Sequence, residues 1–550
     1  MREELSKNIK EVLIELGVKD PKFTLDYPTY IELGDYTTNA AMSSAKELSQ
    51  KPIDLACQIK QKLDEREIFG ISKIEIIPPG FINFFISAEY FAGIIEKRTY
   101  GKMLSGQKII FEHSQPNPFK AFHIGHLMSN NIGEAVSRII KANGAEAKVV
   151  SYNGDVGMHI AKAVWAMKNG QSLEDAYAYG NNAYETNDQS KQEIVEINKK
   201  IYDESDPEIS KIYEKGREES FSKFEELYKR LGSKFDYQFY ESQSGPVGQQ
   251  LVEENMGIIF EKGEGGAIIF RGENYVPKTH TRVFLNSDGL PVYEAKELGL
   301  AQLKKDYYTY DKSITVTANE QDSFFRVVEV AVGEVFPDLK GKHFHLSHGI
   351  LKLPSGKMSS RTGTIISAED LIKQVKEKVE DKIRDRELNH KEIGEISEDV
   401  ALGAIRFSIL KQSLGGDIVF DFDKSISFDG DSGPYLQYAT VRARSVLEKS
   451  KSQISNIKYQ IPEGWQTTNL EKILGRFSSV VERAGREYAP HHLVTYLIDL
   501  AGEFNSFYAS HKIIDETDPT SSYRLYITKV FVGVMEEGLD LLGIKIPQKM

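Results

Sequence analysis

Apolar positions along the chain follow two periods, and the places where one gives way to the other divide it into blocks. Over Glu3 to Gly17, Ala40 to Ser49 and Ile53 to Glu65 they recur every three or four residues, the period of a helix with one buried face. From Ile74 to Ile77 and from Phe81 to Ile86 the apolar run is short and nearly continuous, as in a strand. Residues 1–98 therefore read as a small α+β domain.

From Gln107 to about Lys340 the two patterns alternate. Lys108 to Glu112, Ala147 to Tyr152 and Ser313 to Thr317 each feed a helical stretch, the arrangement expected of a parallel sheet. A helical period without strands runs from Ala163 to about Gly245 and reads as an insertion into that sheet. The expected organisation is α/β: a Rossmann-like domain at 99–345 with its insertion at 163–245, a connecting region at 346–392, and an almost wholly helical region at 393–550. The connecting region holds a polar loop and a Lys/Glu helix, Ala368 to Arg386.

The richest local pattern is FEHSQPNPFKAFHIGHLMSNN, Phe111 to Asn131. A strand enters it, two prolines break it, and a helix from Ile124 to Lys141 leaves it, stopped by Asn143-Gly144. His123 and His126 stand three apart at the positive end of that helix, facing the same way. Gly125 between them leaves room for a flat base against the backbone. Open α/β sheets place ligands at such a strand-to-helix turn. Far downstream, Gly356 to Gly363 reads GKMSSRTG, a polar loop whose cations Lys357 and Arg361 can close over phosphates. Either string alone also suits an ordinary surface turn.

Taken together and in this order, the two strings resemble the paired signatures of class I aminoacyl-tRNA synthetases. Further strings resemble one branch, the arginyl-tRNA synthetases: GDYTTNAAMSSAKEL (Gly34 to Leu48), PPGFINFFIS (Pro78 to Ser87), SYNGDVGMH (Ser151 to His159), LYKRLGSKFD (Leu227 to Asp236) and SFDGDSGPYLQYATVRARSVL (Ser427 to Leu447). The ending LDLLGIKIPQKM also fits, so the likeness spans nearly the whole chain.

The resemblance implies a catalytic Rossmann-like core flanked by an N-terminal domain that touches the tRNA elbow and a C-terminal helical anticodon-binding domain. It implies ATP-dependent activation of arginine, assisted by Mg²⁺, and transfer to tRNA(Arg). Catalysis would fall to His123, His126, Lys120 and Lys357, and ATP would also meet Gly125, Ser359 and Arg361. Glu112 and Asn117 would face the amino acid's α-amino and carboxylate side, Tyr293 and Glu297 its guanidinium, with Gln321 in the same pocket. A guanidinium has five donors and no acceptor, so a carboxylate beside a hydroxyl or aromatic plane is the chemistry it needs. Tyr435, Tyr438 and Arg442 would hold tRNA by stacking and charge, and Asn505, Phe507 and Tyr508 lie in another helix resembling the anticodon-facing surface. No protein metal site is expected.

Three positions depart from the family pattern. Ser360 stands where the general loop has a second lysine, which puts the weight on Lys120 and Lys357. Glu297 replaces an aspartate and adds a methylene, and His159 replaces a glutamine, while Asp155 beside it stabilises the turn. These departures keep two rivals in view: a non-catalytic tRNA-binding paralogue, and a synthetase for lysine.

Composition adds limits. The net charge of −12 suits tRNA only if a local basic track exists, for which Lys120, Lys352, Lys357, Arg361, Arg442 and Arg444 are candidates. Cys57 is the sole cysteine, which excludes intrachain disulfides and thiolate-rich zinc sites and points to the cytoplasm. No apolar run approaches the ~20 residues that span a bilayer, so a soluble monomer is expected. His343, His345 and His348 alternate through a strand without carboxylates between them and read as structural or surface residues. A Walker-type phosphate loop is absent.

Overall fold

In the computed structural model, which describes residues 1–98, 100–352, 367–450 and 461–550, five parallel strands form the central sheet. In chain order they are β1 (Lys108–Glu112), β2 (Glu146–Asn153), β3 (Tyr237–Tyr240), β4 (Lys312–Ala318) and β5 (His343–His348). Across the sheet the order is β5-β4-β1-β2-β3, all parallel. The order reverses between β1 and β4, and at their carboxyl ends such a sheet opens a crevice. Parallel strands carry helices on both faces, which is why Ile109, Ile110 and Phe111 are fully buried. Each such side chain contributes about 1.5–3 kcal/mol on burial.

Four helices position the crevice. Helix α1 (Ile124–Ala142) follows β1, α2 (Glu241–Glu254) follows β3, α3 (Tyr293–Tyr307) precedes β4, and α4 (Asp322–Val335) follows it. The helical expectation for Ala163 to Gly245 fails at its end. Helices do fill Met158–Lys168, Leu173–Thr186, Asp188–Asp203 and Pro207–Leu231, but Tyr237–Tyr240 pairs with β2 as the edge strand. A three-stranded antiparallel sheet at Glu261–Lys262, Ile268–Arg271 and Thr281–Leu285 had no counterpart in the sequence reading.

The chain forms two compact units. One comprises Tyr100–Val441, Val481–Thr495 and Glu537–Met550 and contains the parallel sheet. The other comprises Met1–Thr99, Arg442–Val480 and Tyr496–Glu536. In this second unit a four-stranded antiparallel sheet, ordered Leu25–Asp26, Tyr36–Thr38, Phe81–Ile86, Ile71–Ile77, is covered by the Arg2–Glu15 and Pro52–Asp64 helices through Leu5, Ile9, Leu55 and Ile59. Among the described residues no helix is long and apolar enough to cross a membrane.

Candidate active site

Strand β1 ends at Glu112, and the chain turns through eleven residues before α1 begins. Within this turn Ser114, Gln115 and Phe119 take left-handed backbones, φ 75°, 50° and 63°. Such a conformation costs a residue with a Cβ roughly 1–2 kcal/mol. Local hydrogen bonds hold it: Ser114 N–H donates to Ser129 Oγ (3.2 Å), Phe119 N–H to Ser220 Oγ (2.9 Å), and Asn130 Nδ2 to Ser114 Oγ (3.0 Å).

His123 then caps α1. Its Nδ1 accepts from the backbone N–H groups of Gly125 (3.1 Å) and His126 (3.4 Å), and His126 Nδ1 accepts from the His123 N–H (3.3 Å). With both Nδ1 lone pairs engaged, the neutral rings carry their protons on Nε2. Burial, helped by the Lys120 cation, lowers His123 to about 4. Burial, then His123 and Lys120, holds His126 well below the ordinary imidazole range. The result is two neutral donors at a helix N-terminus, suited to phosphate or ribose oxygens.

Gly125 serves the cap as well as bordering the cavity. A Cβ there would lie 2.9 Å from His123 Cε1, so the missing side chain makes room for the capping imidazole. Gly154 is similar, since its missing side chain admits Asn117 Oδ1, which a Cβ would meet at 2.4 Å. Asp155 does tie the turn, accepting from the Ser242 N–H (2.9 Å) and hydroxyl (2.8 Å) and pairing with Arg217 (3.0 Å). His159 hydrogen-bonds the Gly154 carbonyl through Nε2 (2.9 Å).

A cavity of about 660 Å³ opens at the carboxyl ends of β1 and β4. Its wall brings together His123, Gly125, His126, Asn117, Tyr293, Glu297 and Gln321, which come from three separate stretches of sequence. Burial and the neighbouring Glu112 carboxylate raise the Glu297 carboxyl to about 8, so it is a neutral acid at pH 7. The wall also contains Gln115, Tyr152, Glu241, Arg282 and Glu294, none given a role from the sequence, and His348. Glu241 follows β3 directly, so its position at a strand's carboxyl end was a usable signal once that strand was known.

Two expected residues are not in the cavity wall. Glu112 is fully buried below it, its Oε2 2.6 Å from Lys304 Nζ and its Oε1 accepting from Gln115 Nε2 (2.6 Å). An ion pair thus occupies the carboxylate expected to face the amino acid. Lys120 places Nζ 4.1 Å over the Tyr177 ring of the inserted helices, and burial lowers it to about 8. Lys357, Ser359 and Arg361 lie outside the described residues.

The three strand histidines have protein partners. His343 Nε2 bonds Tyr310 OH (2.9 Å), His345 Nε2 bonds Thr317 Oγ1 (2.7 Å), and His348 Nδ1 bonds the Gly349 carbonyl (2.7 Å). The structural reading holds for the first two, whereas His348 borders the cavity.

Helix α5 (Gly433–Ser450) carries the expected tRNA residues at spacings of three and four, so Tyr435, Tyr438 and Arg442 share a face. Tyr435 is half-buried and Tyr438 more exposed. The Arg442 guanidinium lies 4.1 Å from the Tyr508 ring centroid. Two candidates for a basic track are neutralised: Arg444 pairs with Glu536 (2.7 Å) and Lys352 with Asp417 (2.5 Å).

Three family models match the chain: "Arginyl tRNA synthetase N terminal domain" over residues 3–86, "tRNA synthetases class I (R), catalytic domain" over 92–422, and "DALR anticodon binding domain" over 436–550. The arginine–tRNA ligase of Clostridium beijerinckii is 29% identical over 567 aligned positions, covering 98% of each chain. That of Borrelia turicatae is 28% identical and covers 100% of this chain and 99% of its own. Among solved structures, Thermus thermophilus arginyl-tRNA synthetase superposes with a TM-score of 0.77 at 23% identity over the full length of both chains. That likeness shows a shared fold.

Proposed function

The chain belongs to the class I (R) tRNA synthetase family, and from that premise we propose that it is an arginine–tRNA ligase. The arginine carboxylate attacks the α-phosphorus of ATP and pyrophosphate leaves. A ribose hydroxyl of the terminal adenosine of tRNA(Arg) then takes the arginyl group, and AMP leaves.

Neither step needs a protein nucleophile. Each needs positioning and donors aimed at phosphate oxygens whose charge redistributes. The Nε2–H groups of His123 and His126 supply those donors, and their neutral state leaves them unaffected by pH near 7. Asn117 orients the backbone end of arginine, while Tyr293 and Glu297, with Gln321 in the same wall, receive the guanidinium. Glu297 gives up its proton as the cation arrives. Lys357 of the signature loop and Lys120 add positive charge toward the triphosphate, and Tyr435, Tyr438 and Arg442 hold tRNA. Among the described residues no trio of imidazole and carboxylate groups is arranged to hold a metal. Mg²⁺ therefore fits as an ion carried mainly by phosphate oxygens, which it would neutralise. We place the enzyme in the cytoplasm as a monomer.

One observation carries this reading: a carboxyl with a tyrosine and two helix-start imidazoles border a single cavity, although they are far apart in sequence. The test is charging of total tRNA with each of the twenty labelled amino acids. Arginine alone should be esterified, and preferential charging of lysine would refute the assignment. Pyrophosphate exchange should also rise greatly when tRNA is added, as it usually does in this family, and equal rates would remove that feature.

A further inference from the structure

The floor of the guanidinium pocket is a counted set of charges. Four carboxyls gather there: Glu297 on α3, and Glu112 at the end of β1, Glu241 at the start of α2 and Glu294 on α3, each of which acts on it. Three of them have a cation. Lys304 lies 2.6 Å from Glu112, Lys296 lies 2.5 Å from Glu241, and Arg282 lies 3.4 Å from Glu294. Among the described residues Glu297 has no such partner within ion-pair distance, and Glu320 at the mouth is exposed.

Lys304 is the most deeply placed of the three cations, 2% exposed, and its Nζ also donates to Ser313 Oγ (3.3 Å). It stands seven residues after Glu297 on α3, two turns along the same stripe that carries Tyr293 and Ala301. A lysine in such a place is costly unless a carboxylate faces it. Without it, two adjacent buried carboxyls would compete for one cation or share a proton.

We infer that Lys304 is a specificity-determining residue: by pairing with Glu112 it leaves Glu297 as the one carboxyl of the four without a cation, so the pocket carries a single net negative charge once Glu297 gives up its proton and accepts one guanidinium. Glu112 then acts on arginine through Lys304 and does not touch it. The inference rests on arginine being the substrate.

Glu112→Gln leaves the Lys304 cation unbalanced beside the guanidinium. The KM for arginine in tRNA charging should rise about tenfold from the loss of one nearby charge, with kcat changed only a few-fold. The inhibition constant of L-citrulline, a neutral isostere, should change less than about threefold, because no charge is involved. Adding Lys304→Met to Glu112→Gln restores the count and should bring the arginine KM back to within about threefold of wild type. An unchanged KM in Glu112→Gln, an equal shift for citrulline, or a double variant that folds and charges yet keeps the raised KM would each overturn the inference. The single variant with citrulline decides the matter even if the double variant does not fold. Wild-type enzyme that fails to charge arginine would instead remove the functional reading beneath it.

Discussion

The imidazoles of His123 and His126 lie face to face, ring centroids 3.6 Å apart and 19° from parallel, each with its Nδ1 turned back onto the first turn of the helix they open. The sequence motif is therefore a cap and a donor pair at once.

His126→Ala should lower kcat for charging by about 10²–10³-fold, the usual loss for one donor aimed at developing charge. His126→Asn, which keeps an N–H donor, should lose less. Steady-state charging assays with saturating arginine and ATP measure both.

Both rings should stay neutral through the working range, so kcat should show no imidazole limb between about pH 5.5 and 8. Stability should respond lower down. An unfolded histidine titrates near 6.5 and folded His123 near 4, so the unfolded state binds protons first. The stabilising contribution is complete above 6.5 and is lost as pH falls toward 4. Thermal melts across pH 4–7 should show Tm falling over that window, and His123→Asn should flatten part of the fall.

Gly125→Ala pushes a methyl to within 2.9 Å of the capping ring. Loss of an N-cap costs about 1 kcal/mol, so a small drop in Tm should accompany a much larger loss of charging, because both donors are displaced. A variant with full activity would contradict the capping role.

Much of this site was legible in advance, and the failures have physical causes. The strands Lys108–Glu112 and Phe81–Ile86 stand where apolar runs placed them, because each is long enough to be read without its neighbours. Tyr237–Tyr240 was missed because a four-residue edge strand follows a 25-residue amphipathic helix whose period overwhelms it. Tyr293 and Glu297 were paired through the likeness to the arginyl-tRNA synthetases, and their spacing of four on one helix agrees with it. The Glu112–Lys304 pair spans 192 positions, and nothing in either local pattern points to the other. Its presence is what withdrew Glu112 from the cavity. The role of Gly125 likewise depended on where an imidazole turned, which spacing does not specify.

Glu297 gives a pH dependence of opposite sign to the histidines. Its carboxyl is raised to about 8, so below that pH the free enzyme holds a proton that the guanidinium must displace. The arginine KM should fall as pH rises from 6 to about 8 and then level, and calorimetry at pH 7 should register proton release on binding. In the unfolded chain this carboxyl ionises near 4.5, so its contribution to stability is present below 4.5 and declines as pH rises toward 8. A KM independent of pH in this range would mean that Glu297 does not receive the cation.

Arg442, stacked on Tyr508, and Arg444, paired with Glu536, make a contrast on one helix. Arg442→Ala should raise the KM for tRNA about tenfold and reduce the salt dependence of binding by about one phosphate contact. Arg444→Ala should change tRNA affinity much less. Arginine KM should stay unchanged in both, and equal effects of the two substitutions on tRNA would contradict the assignment.

The most direct test is a crystal structure with a non-hydrolysable arginyl-adenylate analogue. The guanidinium should lie about 3 Å from the Glu297 carboxylate and the Tyr293 hydroxyl, with the phosphate analogue within the same distance of an Nε2 of His123 or His126. An analogue bound with its guanidinium outside the cavity, or with its adenosine remote from both imidazoles, would contradict the account.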